Sequence, residues 1–231
     1  MNDYLKKQIL KADARDKELV INYITGKNGN MQNIPIFFNV LDTGCDNGTF
    51  LNRLKQNIFY HNMHGIDISP VAKRKSEKLG IKVSLQDLNQ NLSYKDNSFD
   101  LIISLQTIEH LYFTDTYLRE MKRILKKNGT LAITTTNLAA IHYRLMLLFG
   151  IQPLCLHPSI YQTFPLKGKN PLYCHKSVFT YKALKQVLKI HGFNIVWSRT
   201  HNIYFLPTWL SDALTYIFPS TGSHSIFVVK K

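Results

Sequence analysis

Acidic side chains all but vanish from this chain after residue 120. Residues 121–231 contain one carboxylate side chain, Asp212, against 14 Lys and Arg, whereas residues 1–120 set 14 acids against 15 bases. The net charge of +14 is therefore concentrated in the C-terminal half. That imbalance points to an anionic partner for this half: a phosphorylated or carboxylated small molecule, acidic lipid headgroups, or nucleic acid. A lysine-rich solvated surface is the plainer alternative. Cysteine is scarce too. Cys45, Cys155 and Cys174 are odd in number and lack paired spacing, which argues against a disulfide framework or a structural zinc site and for a reducing compartment. No apolar run reaches the roughly 20 residues of a membrane span. The longest, Leu145 to Leu156, is interrupted by Gly150 and Pro153. Met1 to Glu18 alternates charges without an apolar stretch, so no secretory signal is read there and a soluble, cytoplasmic protein is expected. Internal repeats and low-complexity segments are absent.

Against these absences stands one informative loop. Val40-Leu41-Asp42-Thr43-Gly44-Cys45-Asp46-Asn47-Gly48 is an apolar run that ends on a carboxylate, breaks into a glycine-punctuated turn and opens into a helix-compatible segment. Glycines at such a turn let the backbone approach a ligand where a Cβ would collide. A second apolar run, Ile66-Asp67-Ile68, ends in an acid 25 residues after Asp42, a spacing suited to accepting hydrogen bonds from ribose hydroxyls. The third glycine of a dinucleotide-binding fingerprint is missing, its register being held by Leu51.

The loop resembles the first motif of the class I S-adenosylmethionine-dependent methyltransferases, matching it at Leu41, Asp42, Gly44, Cys45 and Gly48 and departing at Asp46, where that family usually has glycine. Further landmarks follow in order: Asp87-Leu88, resembling the adenine-contacting acid; Asn97 to Ile103, resembling the fourth strand; Ile108-Glu109-His110-Leu111, resembling a Glu-His-Leu element; and Leu125 to Leu131, resembling the turn into the fifth strand. The resemblance is closest to the small-molecule, ubiquinone- and menaquinone-biosynthesis-like type. It implies S-adenosyl-L-methionine as cofactor, held by Asp42, Gly44, Cys45, Asp46, Gly48, Asp67, Ile68, Asp87, Leu88 and Leu105. An extra acid at Asp46 suits the cofactor's ammonium and disfavours its carboxylate.

The expected fold is α/β, a Rossmann-like doubly wound seven-stranded sheet, mostly parallel with an antiparallel last strand, carrying a cap insertion. The expected organisation is an N-terminal helical extension (1–36), a cofactor-binding core (37–137), a cap or substrate insertion (138–178) and the C-terminal part of the fold (179–231). Five parallel strands are predicted at Phe38 to Asp42, His61 to Ile68, Ile81 to Asp87, Phe99 to Leu105 and Thr130 to Thr136. Helices are predicted at Asp3 to Tyr23, Thr49 to Gln56, Pro70 to Leu79, Leu111 to Leu125, Asn137 to Phe149 and Tyr181 to His191, the last capped by Thr180 and ended by Gly192. Strands at Phe193 to Ser198 and Ser225 to Lys230 close the sheet. Aromatics such as Phe149, Tyr204, Phe205 and Trp209 are expected to pack in the core or cap.

Methyl transfer is an in-line displacement that chiefly requires positioning and exclusion of water, and a hydroxyl acceptor benefits from a base. His110, beyond the fourth strand, is the first candidate, with capping of the following element as the structural alternative. His175 is the second, because Tyr173 to Thr180 resembles a Gly-His-x-Arg-x-Phe-Thr element of the family. Tyr143, Arg144, Tyr161 and Lys176 are candidates to contact an anionic or aromatic acceptor. Some related methyltransferases hold a metal on a Glu-x-x-Glu-His pattern. Gln106 replaces its first carboxylate, so no metal is expected. An Asn/Asp-Pro-Pro-aromatic stretch is absent after the fourth strand, which argues against methylation of exocyclic amines in nucleic acid. The expected function is methyl transfer to a small, anionic or lipid-linked acceptor. RNA methylation through the basic half and a catalytically inactive binding protein are the alternatives. Peripheral membrane contact stays open, and no obligate protein partner is inferred.

Overall fold

The computed structural model describes residues 3–26, 36–156 and 175–231, with side chains from residue 7 onward. Tyr161 and Cys174 lie outside the described residues, as does much of the expected cap insertion. Seven strands form one sheet: β1 (Ile36–Thr43), β2 (Phe59–Asp67), β3 (Lys82–Leu85), β4 (Phe99–Leu105), β5 (Leu125–Thr136), β6 (Asn194–His201) and β7 (His224–Lys230). Their order is β3-β2-β1-β4-β5-β7-β6, and β7 alone runs antiparallel to both its neighbours. Chain order reverses between β1 and β4. In open α/β sheets ligands bind at that switch point, beyond the carboxyl ends of the strands.

Period-two alternation divides the strands between two helical layers. Leu41, Ile102, Leu131, Phe227 and Val229 face α4 (Thr114–Ile124) and α6 (Tyr181–Ile190), which contribute Tyr117, Met121, Leu184 and Leu188. Val40, Leu101, Ile103, Ala132 and Val228 face the other way, towards α1 (Asp3–Ile24) and α2 (Thr49–Leu54). The N-terminal helix therefore joins the core through Val20, Ile21 and Ile24. Helix α3 (Pro70–Glu77) opens where expected, its Ser69 cap accepting a bond from Ala72 and Pro70 occupying the first turn. Thr180 caps α6 by accepting from the Ala183 amide.

Four segments differ from the sequence reading. Strand β5 begins at Leu125 rather than Thr130, because the Lys-Lys-Asn-Gly segment is a bulge within it: the register jumps between Phe99–Leu125 and Leu101–Thr130, and Asn128 takes φ 63°. The helix expected from Leu111 starts at Thr114, after a 3₁₀ turn at Ile108–His110. A helix not foreseen, α7 (Thr208–Ile217), lies between β6 and β7. The helix after β5 is confined to α5 (Ile141–Leu148).

Candidate functional site

The loop after β1 is built for close approach. Gly44 and Gly48 take φ +73° and +74°, and a Cβ on Gly44 would lie 2.6 Å from the Thr107 hydroxyl. Thr107, just past β4, donates that hydroxyl to the Thr43 carbonyl at 2.9 Å, tying the two loops of the switch point together. Asp46 also takes a left-handed conformation, φ 45°. The backbone here asks for glycine, and aspartate is among the few other residues that tolerate it. The Asp46 amide donates to Asp67 Oδ2 at 3.0 Å, and the Ser69 amide donates to Asp67 Oδ1 at 2.8 Å. The acid ending β2 is thus locked against the loop that follows β1.

Asp42 is buried, and burial pushes its carboxyl up to about 8; Lys17 of α1 opposes this, while Asp67 and Asp46 add to it. Cys45 is buried with its thiol against Gly65, and burial raises it to about 12, so it packs rather than reacts. Asp87 accepts from the Asn89 amide at 2.9 Å, turning the chain after β3. Leu88 is buried, Leu105 half-buried and Ile68 exposed. All ten residues expected to hold a cofactor lie on β1, β2 and β4 or on the segments that follow β1, β2 and β3.

A second group gathers beyond β4. The Lys176 and Ser177 amides donate to the Glu109 carbonyl at 2.7 and 3.0 Å, and the Ser177 hydroxyl donates to the Leu111 carbonyl at 2.8 Å. Those bonds dock the segment before α6 on the 3₁₀ turn and bring His175 to His110, with ring centroids 5.1 Å apart. One ligand atom from each of Glu109, His110 and His175 lies within 4.8 Å of the others. Glu109 is buried, with the Thr135 hydroxyl beside its carboxylate. Burial raises this carboxyl to about 7. The trio brings together side chains of the kind that serve as general acids and bases, and its two imidazoles and one carboxylate are also donors that a transition-metal ion accepts. Gln106, whose side chain would complete a Glu-x-x-Glu-His pattern if it were acidic, instead donates to Asp16 at 2.7 Å.

Sequence reasoning named His110 and His175 as separate candidates without bringing them together, and it missed what seats α1 beside them. Asp16 of α1 is buried and binds His201 Nε2 at the end of β6, His224 Nδ1 at the start of β7 (2.8 Å) and Gln106. No local pattern marks these partners. Of the acceptor-contact candidates, Tyr143 is buried, Arg144 binds Ser220, and Lys176 stands 5.1 Å over the Tyr112 ring.

Comparison with known proteins agrees with this geometry. A methyltransferase-domain family profile matches residues 6–198. The chain is 30% identical over 172 residues to an uncharacterized protein of Methanocaldococcus jannaschii, covering 74% of this chain and 60% of that protein. It is 30% identical over 105 residues to a ubiquinone biosynthesis O-methyltransferase of Pelagibacter ubique, covering 42% of each. The chain thus spans about half the length of these two relatives. The PH0226 protein of Pyrococcus horikoshii shares the fold, with a TM-score of 0.62 at 18% identity over 96% of this chain and 92% of that one.

Proposed function

The chain belongs to the class I S-adenosylmethionine-dependent methyltransferases, and we propose that it transfers the cofactor's methyl group to a small, anionic or lipid-linked acceptor. The loop after β1 fits that cofactor. Its two left-handed glycines let the turn pack tightly against Thr107, Ser76 and Ile81, and three acids, Asp42, Asp46 and Asp67, gather at it to receive an ammonium and ribose hydroxyls. S-adenosylmethionine, when bound, supplies an electrophilic methyl group. Asp67 would accept from the ribose, Asp87 and Leu88 would border the adenine together with Ile68, and Asp42 with Asp46 would favour the ammonium. Leu105 would close the floor.

The convergence of Glu109, His110 and His175 beyond β4 carries the catalytic part of this reading. In the proposal one imidazole takes the proton from an acceptor hydroxyl. Glu109, buried within 4.8 Å of a nitrogen of each ring, steadies the resulting imidazolium. General bases of this kind contribute about 10²–10⁴ in rate. The Pelagibacter relative, named for O-methylation in ubiquinone biosynthesis, supports a lipid-linked acceptor. The charge of the C-terminal half supports an anionic one.

RNA methylation is the second reading, favoured by the same basic half. An inactive binding protein has less support, because the loop accommodates Asp46 in the conformation that glycine would take. The test is transfer of labelled methyl groups to anionic metabolites, a membrane lipid extract and total RNA. Label in either of the first two, reduced by about two orders of magnitude in His110→Gln or His175→Gln with cofactor affinity unchanged, supports the proposal. Label confined to RNA and abolished by salt replaces it with the second reading. Absence of label in all three, with cofactor bound, refutes the proposed acceptor classes.

A further inference from the structure

Asp16 does more than seat α1. Its carboxylate lies 2.8 Å from Nδ1 of His224, and every hydrogen bond of that ring among the described residues is made by Nδ1. A carboxylate on one ring nitrogen fixes the tautomer and orients the other. Nε2 is thus a proton donor with no partner among the described residues. Burial opposes the charged ring, and Asp16, then Asp13 and Glu109, outweigh it and hold it at about 8. Gln106, which donates to Asp16 at 2.7 Å, takes φ 51°, a left-handed value that glutamine seldom adopts. Strain of this kind collects at functional sites. Glu109 follows three residues later and lies near enough to His224 for each to feel the other's charge, so the Asp16–His224 pair adjoins the His110–His175 group.

A second imidazole reaches the same place from α5. Of the aromatics expected in core or cap packing, Phe149, Phe205 and Trp209 face outward, whereas Tyr204 turns in and meets His142 with ring centroids 4.7 Å apart. Neither ring nitrogen of His142 has a hydrogen-bond partner among the described residues, and both are shielded from solvent. Burial, and after it the charge of His224, lower this imidazole to about 4, so the ring is neutral and offers one donor and one acceptor. Leaving both unpaired is costly, and a ligand oxygen supplies the missing partner. Access lies on the side of α1. Asp13, one turn before Asp16, is 39% exposed with its carboxylate 4.0 Å from His224 Nδ1.

We propose that His224 and His142 form a subsite that grips an uncharged oxygen of the methyl acceptor, a carbonyl or second hydroxyl beside the hydroxyl that is methylated. The inference rests on the methyl-transfer reading and adds which acceptors that site admits. His224 donates from Nε2, and neutral His142 donates or accepts. Glu109 borders both this pair and the His110–His175 group, which sets the gripped oxygen next to the reacting one. Asp16 cancels the charge of His224, and Asp13 and Glu109 stand close by, so a carboxylate held here meets more negative than positive charge. An uncharged oxygen meets no such penalty. The negative charge proposed for the acceptor therefore sits away from its reacting hydroxyl. The rings of Tyr204 and His142 add flat surface that suits an aromatic acceptor.

Phenol, 2-hydroxyacetophenone and salicylate serve as probes, carrying beside the hydroxyl no second oxygen group, an uncharged carbonyl and a carboxylate respectively. Each is titrated into the protein with and without S-adenosylhomocysteine, following the ring-nitrogen signals of the histidines by magnetic resonance. The expected result is 2-hydroxyacetophenone bound roughly tenfold more tightly than the other two, with the His224 Nε2 signal moving as it binds. His142→Phe keeps a ring against Tyr204 and removes both nitrogens, so it should erase most of that preference while S-adenosylhomocysteine affinity stays the same. His224→Gln should erase it as well, and His142→Phe still reports if that buried variant does not fold. Equal binding of the three probes, salicylate bound most tightly, or a preference that survives His142→Phe with the His224 signal unmoved would overturn the subsite and leave the methyl-transfer reading standing. Failure to bind S-adenosylhomocysteine with the probe preference intact would overturn that reading and leave the oxygen-binding subsite standing.

Discussion

Replacing Asp16 with alanine removes the acceptor shared by His201, His224 and Gln106 in a fully buried position. Breaking a buried charged pair by deleting one partner costs about 3–5 kcal/mol, a large part of the 5–15 kcal/mol typical of a domain. The substitution also changes pH dependence, in a direction fixed by linkage. Burial alone would lower His224, but Asp16 outweighs it and holds the imidazole at about 8. Its contribution to stability is therefore present in full below the unfolded value of about 6.5 and is lost as pH rises through about 8. His201 is lowered, by burial first, so it subtracts stability only towards acid. Between pH 6.5 and 8.5 the His224 contribution falls by about 1.5 kcal/mol. Asp42 and Glu109, both raised by burial, tilt the unmodified and substituted proteins alike and cancel in the difference. Urea unfolding at the two pH values should show Asp16→Ala less stable by several kcal/mol at pH 6.5, with a pH dependence flatter by about 1.5 kcal/mol. A loss below about 1 kcal/mol, or pH curves that run parallel, would refute the idea that this cluster fastens α1.

Two further outcomes follow from the cofactor loop. Asp46→Gly should stabilise the protein by about 1 kcal/mol, visible as a raised melting temperature, because a left-handed φ of 45° costs aspartate what it does not cost glycine. Asp42 carries its proton at neutrality, and a bound ammonium favours the ionised carboxyl. Affinity for S-adenosylhomocysteine should therefore rise roughly twentyfold from pH 6 to 7.5, with proton release seen as buffer-dependent heat, and a flat profile would remove Asp42 from the binding step.

What the sequence revealed was what local chemistry encodes. The glycines of the β1 loop, the acid ending β2 and the caps of α3 and α6 are read from neighbouring residues, because turns and caps are local. His110 was read from its place beyond the fourth strand and His175 from family likeness, but their meeting was not, because it depends on the two distant amides that bind the Glu109 carbonyl. The Asp16 cluster escaped because its histidines lie 185 and 208 residues away in the chain, where periodicity carries no information. Helix α7 escaped because its apolar stripe faces outward, so a reading that assigns apolar residues to the core misplaces Trp209. The start of β5 was missed because Lys-Lys-Asn-Gly looks like a turn, which locally it is, though the ladder resumes on both sides.

The central claim, a cofactor site at the junction of β1 and β2, is tested most directly by isothermal titration of the protein and its Asp67→Ala variant with S-adenosylmethionine and S-adenosylhomocysteine. The account predicts micromolar binding that the substitution weakens by tenfold or more, about 1.4 kcal/mol. Failure of the unmodified protein to bind either ligand would contradict it.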